Sequence, residues 1–103
     1  MQFIVIGHDG EDESALDRRL AARDNHLASC AAGVKSGEHL VGAAMLDAVG
    51  KMRGSVMIVD YPSRKELDEW LAKEPYVTGN VWKKIEVIPC KLGPAFEPLF
   101  HKN

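Results

Sequence analysis

Charged side chains border the apolar face of the first predicted helix, and they are the residues best suited to chemistry. Arg19, Arg23 and His26 follow one another at spacings of four and three residues, so they lie along one edge of that face. Burial of a charge costs free energy unless a partner offsets it, so this line predicts carboxylates, carbonyl groups or a bound anion opposite. An imidazole placed there can serve as a general acid or base near neutral pH.

A second cluster, Glu74-Pro75-Tyr76, offers the partners that such an imidazole needs. Its carboxylate can orient the ring of His26 for proton transfer, its phenol can assist, and the proline fixes the backbone between a helix and a strand. Asp60 can add a carboxylate to the same cleft, although a strand-to-helix turn is its more ordinary place. The structural alternative also stays open: the arginines extend into solvent and His26 is a hydrogen-bonded histidine at a helix edge.

The helix that carries this line is predicted from about residue 14 to residue 32 or a little beyond. Ser14 followed by Asp17 resembles a capping box, and Gly33 and Gly37 supply stop signals. Apolar residues recur at helical spacing and are expected to face the core: Leu16, Leu20, Leu27, Ala31 and Val34.

The remaining elements are four strands and a second helix. Apolar or alternating runs predict strands over residues 2–6, 39–46, 55–61 and 81–88, the second and third forming a hairpin. A capping box that starts at Ser63 opens a helix over residues 63–73, and Pro75 disfavours helix at Glu74.

The order β-α-β-β-α-β predicts an α+β fold of the ferredoxin-like type, with a four-stranded antiparallel sheet and two helices on one face. The other face would be bare and apolar, with Trp82 available to it, so we expect a second copy of the chain to cover it. Residues 93–103 contain Phe96, Leu99 and Phe100 and are predicted to form an arm that packs on this partner.

Stretches spread over most of the chain carry a family resemblance. They are Arg19-Leu20-Ala21 with Arg23-Asp24-Asn25-His26-Leu27, Arg53-Gly54-Ser55-Val56-Met57-Ile58, Glu74-Pro75-Tyr76-Val77, Val81-Trp82 and Val87-Ile88-Pro89. In this order and spacing they resemble the YCII-related (YciI-like) family of the dimeric α/β-barrel superfamily, over residues 1–92, taken here as one domain. The sequence departs from the family pattern at Glu74, where relatives usually have aspartate, and at Gly42-Ala43-Ala44, where many have Gly-Pro.

The resemblance implies a ferredoxin-like fold, dimers of the α/β-barrel type, and an active site built on a helix-one histidine and a carboxylate. The prediction is an enzyme without a cofactor that uses acid–base chemistry, of lyase or isomerase type, on a small aromatic or anionic metabolite. Its catalytic residues are predicted to be His26 and Glu74, and its substrate-binding residues Arg19, Arg23, Tyr76 and Asp60. The alternatives are a dimeric module that binds a small molecule without catalysis, and a purely structural interaction partner.

Composition narrows the remaining classes. A chain of 103 residues with 46% hydrophobic residues predicts one globular domain, and a net charge of −2 argues against nucleic acid as a partner. The apolar N-terminus is only about a strand long and lacks a positively charged lead, so we expect no membrane span and a cytoplasmic protein. Cys30 and Cys90 predict core packing rather than disulfides, and His8 and His39 are not spaced as zinc ligands, so no metal is predicted.

Overall fold

Side chains alternate along the first strand, β1 (Gln2–Asp9), and this alternation defines the two faces of the sheet. Phe3 and Val5 point to the helix-covered face and are almost completely buried, whereas Ile4 and Ile6 point to the opposite face and are half-buried. The structure is a computed structural model that describes residues 1–100. Residues 101–103 of the predicted arm lie outside the described range.

Six further elements complete the domain. They are α1 (Ala15–Ser36), β2 (His39–Leu46), β3 (Met52–Asp60), α2 (Arg64–Leu71), α3 (Pro75–Thr78) and β4 (Trp82–Cys90). The strands lie in the order β2-β3-β1-β4, and each neighbouring pair is antiparallel. The ferredoxin-like α+β architecture and the β2–β3 hairpin are therefore confirmed.

Helix boundaries show where local signals succeeded. Gly37 ends α1 at φ 89°, a left-handed conformation that glycine adopts without strain, and its N–H bonds the carbonyls of Gly33 and Val34. Ser63 caps α2 as predicted, because its Oγ accepts the N–H of Glu66 at 3.4 Å. The predicted capping box at Ser14 is wrong, since that side chain makes no capping hydrogen bond.

The face that α1 turns toward the sheet is not the predicted apolar stripe. Ala15, Arg19, His26 and Gly33 are the buried residues of this helix, whereas Val34 of the stripe is 61% exposed. Leu20 and Leu27 are each 49% exposed as well. The helix is rotated by about one residue, roughly 100°, from the expected orientation. Small side chains and hydrogen-bonded polar side chains let α1 lie closer to the sheet than a stripe of leucines would, and this accounts for the orientation of the helix.

Trp82 also lies elsewhere than predicted. It is buried on the helix side of the sheet, where its ring packs directly over Gly7. A Cβ atom at Gly7 would lie 2.3 Å from this ring, so glycine is needed there for space. Trp82 joins Phe3, Val5 and Tyr76 in the hydrophobic core, and the open face of the sheet is built without it.

The opposite face of the sheet carries an apolar row, with the hydrogen-bonded pair of His8 and Glu86 toward one end of the face. Strand register aligns Ile88, Ile4, Ile58 and Val41 in one row across all four strands. No helix of residues 1–100 combines the length and the apolar character that crossing a membrane requires. After β4 the described chain continues to a single 3₁₀ turn, Glu97–Leu99.

Candidate active site

The short helix α3 brings Glu74 to His26. Glu74 caps this helix: its Oε1 accepts the N–H of Tyr76 at 3.1 Å, while Pro75 occupies the first turn, where no N–H is needed. The same oxygen contacts Nδ1 of His26, which is 48 residues distant in the sequence. The Glu74 side chain is fully buried, and the His26 side chain is 9% exposed. The two residues predicted to work together therefore form a buried pair.

This contact determines which nitrogen of His26 is available. An ionised carboxylate only accepts hydrogen bonds, so the pairing places the imidazole proton on Nδ1, which donates to Glu74. The lone pair of Nε2 is then directed away from the carboxylate and can accept a proton. The arrangement has the elements of a general base whose tautomer is fixed by a buried carboxylate.

Aromatic rings hold the imidazole in place. Tyr76 stacks on His26 with ring centroids 3.9 Å apart and planes inclined by 14°. Trp82 meets the same imidazole edge-on, at 6.0 Å and 77°. Burial raises the pKa of Tyr76 above its ordinary value of 10.0, so the phenol stays protonated and can donate a hydrogen bond at neutral pH.

The guanidinium of Arg19 is committed to protein partners. One of its nitrogens donates to both carboxylate oxygens of Asp9, at 3.0 and 3.1 Å, and another donates to Oγ of Ser55 at 2.8 Å. It also lies 4.7 Å from the ring centre of Tyr76, within range of a cation–π contact. Arg19 is only 3% exposed. It therefore braces the wall of the site, with its charge balanced by Asp9.

A cavity of about 360 Å³ lies between α1 and the hairpin of β2 and β3. His26, Arg19, Arg23 and Tyr76 all line it, so four of the predicted site residues meet at one cavity together with the buried Glu74 behind them. Arg23 is exposed in the monomer and thus brings a cation to this cavity that solvent and ligands can reach. The other walls come from small and apolar residues, among them Gly42, Ala44, Leu27 and Met57.

Asp60 is the predicted site residue that the structure does not bring to this cavity. Its Oδ1 accepts a hydrogen bond from the N-terminal ammonium of Met1 at 3.1 Å, at the end of β3. The predicted substrate-binding role of Asp60 is therefore withdrawn. Its side chain lies on the face of the strand opposite to Val59, which is buried beneath the helices.

Two residues at the cavity were not predicted. Cys30 lies one helical turn after His26, with Sγ 3.4 Å from Nε2, and this i, i+4 spacing was visible in the sequence. Burial, together with the charge of Glu74, raises the pKa of the Cys30 thiol to about 11.

His39 lies against Gly33, and its Nε2 is 3.1 Å from the hydroxyl of Tyr61. Burial lowers the pKa of His39.

Among residues 1–100, no group of three or more histidine, cysteine, aspartate or glutamate side chains is arranged to hold a metal ion. The polar side chains at the cavity offer proton transfer and hydrogen bonding, with a thiol beside the imidazole.

Comparisons with known proteins agree with this architecture. The sequence profile of the YCII-related domain matches residues 1–91. Protein YciI of Escherichia coli O6:H1 is 28% identical over 98 residues, which cover 88% of this chain and 97% of that protein, and its Shigella flexneri counterpart gives the same values.

Among solved structures, the fold is similar to that of 5-chloro-2-hydroxyhydroquinone dehydrochlorinase from Burkholderia phenoliruptrix, in complex with 2,5-dihydroxybenzoquinone. The TM-score is 0.79 at 23% identity, covering 92% of this chain and 98% of that one. An antibiotic biosynthesis monooxygenase gives a TM-score of 0.52 at 17% identity, covering 91% and 100% of the two chains. With the profile match over nearly the whole domain, the chain belongs to the YCII-related domain family.

Proposed function

We propose that this protein is a cofactor-independent enzyme in which His26 transfers a proton to or from a small molecule bound in the cavity. The observation that supports this most is the buried pair of His26 and Glu74 beside that cavity. Carboxylate–imidazole pairs of this kind hold a base in one tautomer and stabilise the imidazolium that forms after proton uptake. A histidine with a purely structural role needs neither a cavity nor an accepting Nε2.

The proposed chemical step is removal or relocation of a proton at a carbon or oxygen of the substrate. Nε2 of His26 takes the proton, and the negative charge of Glu74 stabilises the imidazolium until the proton is returned to product or solvent. Positioned acid–base catalysis of this type contributes on the order of 10²- to 10⁴-fold in rate. The ring of Tyr76 stacks on the imidazole and restricts its rotation.

The cavity favours a small ring compound with an acidic or anionic group. Its volume of about 360 Å³ is near the lower end for small-molecule sites, and apolar walls suit a ring. Arg23 supplies the cation for an anionic oxygen, while Arg19 stiffens the wall behind it. The similar fold of a dehydrochlorinase that acts on a hydroquinone suggests a lyase or isomerase step, because elimination from a ring also begins with proton removal.

Small aromatic and carboxylic acid metabolites should be screened for thermal stabilisation of the protein, and the compounds that bind should then be assayed for turnover. The decisive variant is His26→Asn, whose amide can still donate to Glu74. We expect kcat to fall about 10²- to 10⁴-fold with little change in melting temperature.

The matched control is Asn25→Ala, which changes an exposed residue of α1 that does not line the cavity and should leave kcat unchanged. A second variant, Glu74→Gln, keeps the shape but removes the charge, and we expect it to lower kcat more than it raises KM. Full turnover in the His26→Asn protein would refute the proposal. Binding with no turnover of any compound would favour a binding module instead.

We also propose that the protein works as a homodimer joined through the open face of the sheet. The apolar row of Ile88, Ile4, Ile58 and Val41 supports this, since exposed apolar surfaces of such extent usually mark an interface. The described part of the predicted arm, residues 93–100, is proposed to pack on the partner, because Phe96 and Leu99 are both exposed in the single chain. The proposed location is the cytoplasm, where a reducing environment suits two free thiols.

A further inference from the structure

Three functional groups follow one another in a line at the cavity. Sγ of Cys30 lies 3.4 Å from Nε2 of His26, and Nδ1 of the same imidazole contacts Glu74. The distance from sulfur to nitrogen is that of a hydrogen bond in which the thiol donates to the imidazole. Cys30 is half-buried and itself lines the cavity, so a molecule bound there can reach the sulfur atom.

We propose that Cys30 is a nucleophile, activated by His26 and Glu74 as a thiol–imidazole–carboxylate triad. Its covalent ligand would be a soft electrophile, either a quinone or an α,β-unsaturated carbonyl compound. Nucleophilic thiols in proteins are activated by a neighbouring base that is oriented by a third group, and the three residues meet this requirement. The inference shares the pair of His26 and Glu74 with the proposed function but assigns a separate reaction to it.

The reaction is an addition that needs no oxidant or reductant. His26 accepts the thiol proton at Nε2 while the sulfur of Cys30 forms a bond to the β-carbon of the electrophile. The π electrons of the carbon–carbon double bond move toward the carbonyl and give an enolate. The imidazolium then returns the proton to the α-carbon or the oxygen of that enolate. The sum is addition of S–H to the electrophile, held by a new carbon–sulfur bond.

The chain contains its own reference thiol in Cys90. Both cysteines are half-buried, and burial raises the pKa of each thiol above 9.0. Without assistance, both would be protonated at neutral pH and would react slowly. They differ in that Cys30 is hydrogen-bonded to an imidazole, whereas Cys90 has no side-chain hydrogen bond to any residue in the range 1–100. Cys90 lies on the same sheet face as Ile88, so the effect of a His26 substitution on the Cys30 rate, more than the ratio of the two rates, reports the base.

The test is alkylation of the unmodified full chain by N-ethylmaleimide between pH 6 and pH 9, followed by mass spectrometry of the peptides. We expect Cys30 to react at least about tenfold faster than Cys90 at pH 7. The rate at Cys30 should change less with pH than the rate at Cys90, because the thiol proton passes to the imidazole within the pair rather than to solvent. The rate at Cys90 should continue to rise toward its own pKa.

His26→Asn supplies the second readout. We expect it to slow the alkylation of Cys30 at least about tenfold and to leave that of Cys90 unchanged, and Cys30→Ala identifies the modified peptide. Equal rates at the two cysteines, or an unchanged Cys30 rate in His26→Asn, would overturn the inference. Labelling requires no turnover, so a negative labelling result would leave the proton-transfer proposal standing. Conversely, full turnover by the His26→Asn enzyme would refute the proton-transfer proposal without changing the labelling rates.

Discussion

Glu74 shows how much one side chain can determine at this site. Its carboxylate caps α3 through the N–H of Tyr76 and at the same time contacts Nδ1 of His26. In the family that the sequence resembles, this position is usually aspartate, whose side chain is one methylene shorter. The longer side chain nevertheless meets the imidazole, because the backbone of Glu74 is extended at the start of α3 and directs the side chain toward α1. The departure from the family pattern therefore keeps the pair intact.

His39 is a second buried histidine, and its environment makes stability depend on pH. Burial lowers its pKa, while the charges of Glu38 and Glu74 oppose that shift and His26 adds to it. In the unfolded chain, His39 is protonated near the ordinary histidine pKa of 6.5, whereas in the folded protein it is protonated only at lower pH. Unfolding therefore takes up a proton in the interval between the two pKa values. The contribution of His39 to the free energy of unfolding is fully present above pH 6.5 and decreases as the pH falls below that value.

We predict that His39→Gln will flatten this dependence. Urea unfolding of the original protein between pH 7.5 and pH 5 should show a free energy of unfolding that falls with pH. The contribution of one proton is at most about 1.4 kcal/mol per pH unit. Asn25→Gln, an exposed substitution on α1 that removes no titratable group, should keep the slope of the original protein. An identical slope in His39→Gln would mean that other groups are responsible.

The orientation of α1 is the feature that builds the cavity. Residues of α1 that face the sheet are either small or hydrogen-bonded, and Gly33 lies directly against His39 of β2. A Cβ atom at Gly33 would lie 2.0 Å from Nδ1 of His39, whose ring is flanked by Trp70 at 4.8 Å between centroids. The buried ring has little room to retreat, so the spacing between α1 and β2 depends on this glycine.

The Gly33→Ala variant tests that dependence, because the sign of its effect on the free energy of unfolding separates the two explanations. Helix propensity alone would make alanine stabilising by about 1 kcal/mol. We predict a net loss of about 1–3 kcal/mol instead, because the new methyl group overpacks the contact with His39. Chemical denaturation measures the difference. The exposed Ala31→Gly variant on the same helix should lose only the propensity term, and a stabilised Gly33→Ala protein would show that the close contact is not limiting.

The whole domain leaves one sheet face uncovered, and this is a property of its architecture. Both main helices lie on the same side of four strands, so the row that contains Ile58 and Ile4 meets no other part of residues 1–100 that could bury it fully. A second copy of the chain is the proposed cover. A symmetric pairing buries the same row on both subunits at once, as closed dimers do.

We predict that the protein sediments with twice its chain mass of 11.3 kDa, and that Ile88→Glu weakens this assembly. Ile88 is 45% exposed in the single chain, so the substitution should be tolerated by the monomer but place a charge in the interface. Val49→Glu makes the same kind of change in the β2–β3 turn, away from the face, and should leave the mass unaltered. A monomeric original protein at micromolar concentration would contradict the dimer.

The elements and their order could be predicted from the sequence, because they depend on short-range signals. Strand β2 was predicted at its observed bounds, and Ser63 gave the start of α2 through a local hydrogen bond. The predicted end of α1 near residue 32 falls short of the observed end at Ser36, because Gly33 lies inside the helix and Gly37 ends it. The importance of His26 and Glu74 was also inferred from the sequence, where residue types and the family resemblance pointed to the same pair. The short helix α3 was missed, since four residues leave too weak a pattern.

Tertiary packing alone decided which face of α1 is buried and which side chains meet. The leucine stripe was predicted to face the core. The buried residues are instead those that are small enough for α1 to lie close to the sheet or that have polar partners, such as Arg19 between Asp9 and Ser55. Likewise Asp60 was a candidate substrate-binding carboxylate, second to Glu74, until the structure placed its side chain at the N-terminus. Contacts between residues far apart in sequence depend on the rotation and spacing of whole elements, and a one-dimensional pattern does not encode either quantity.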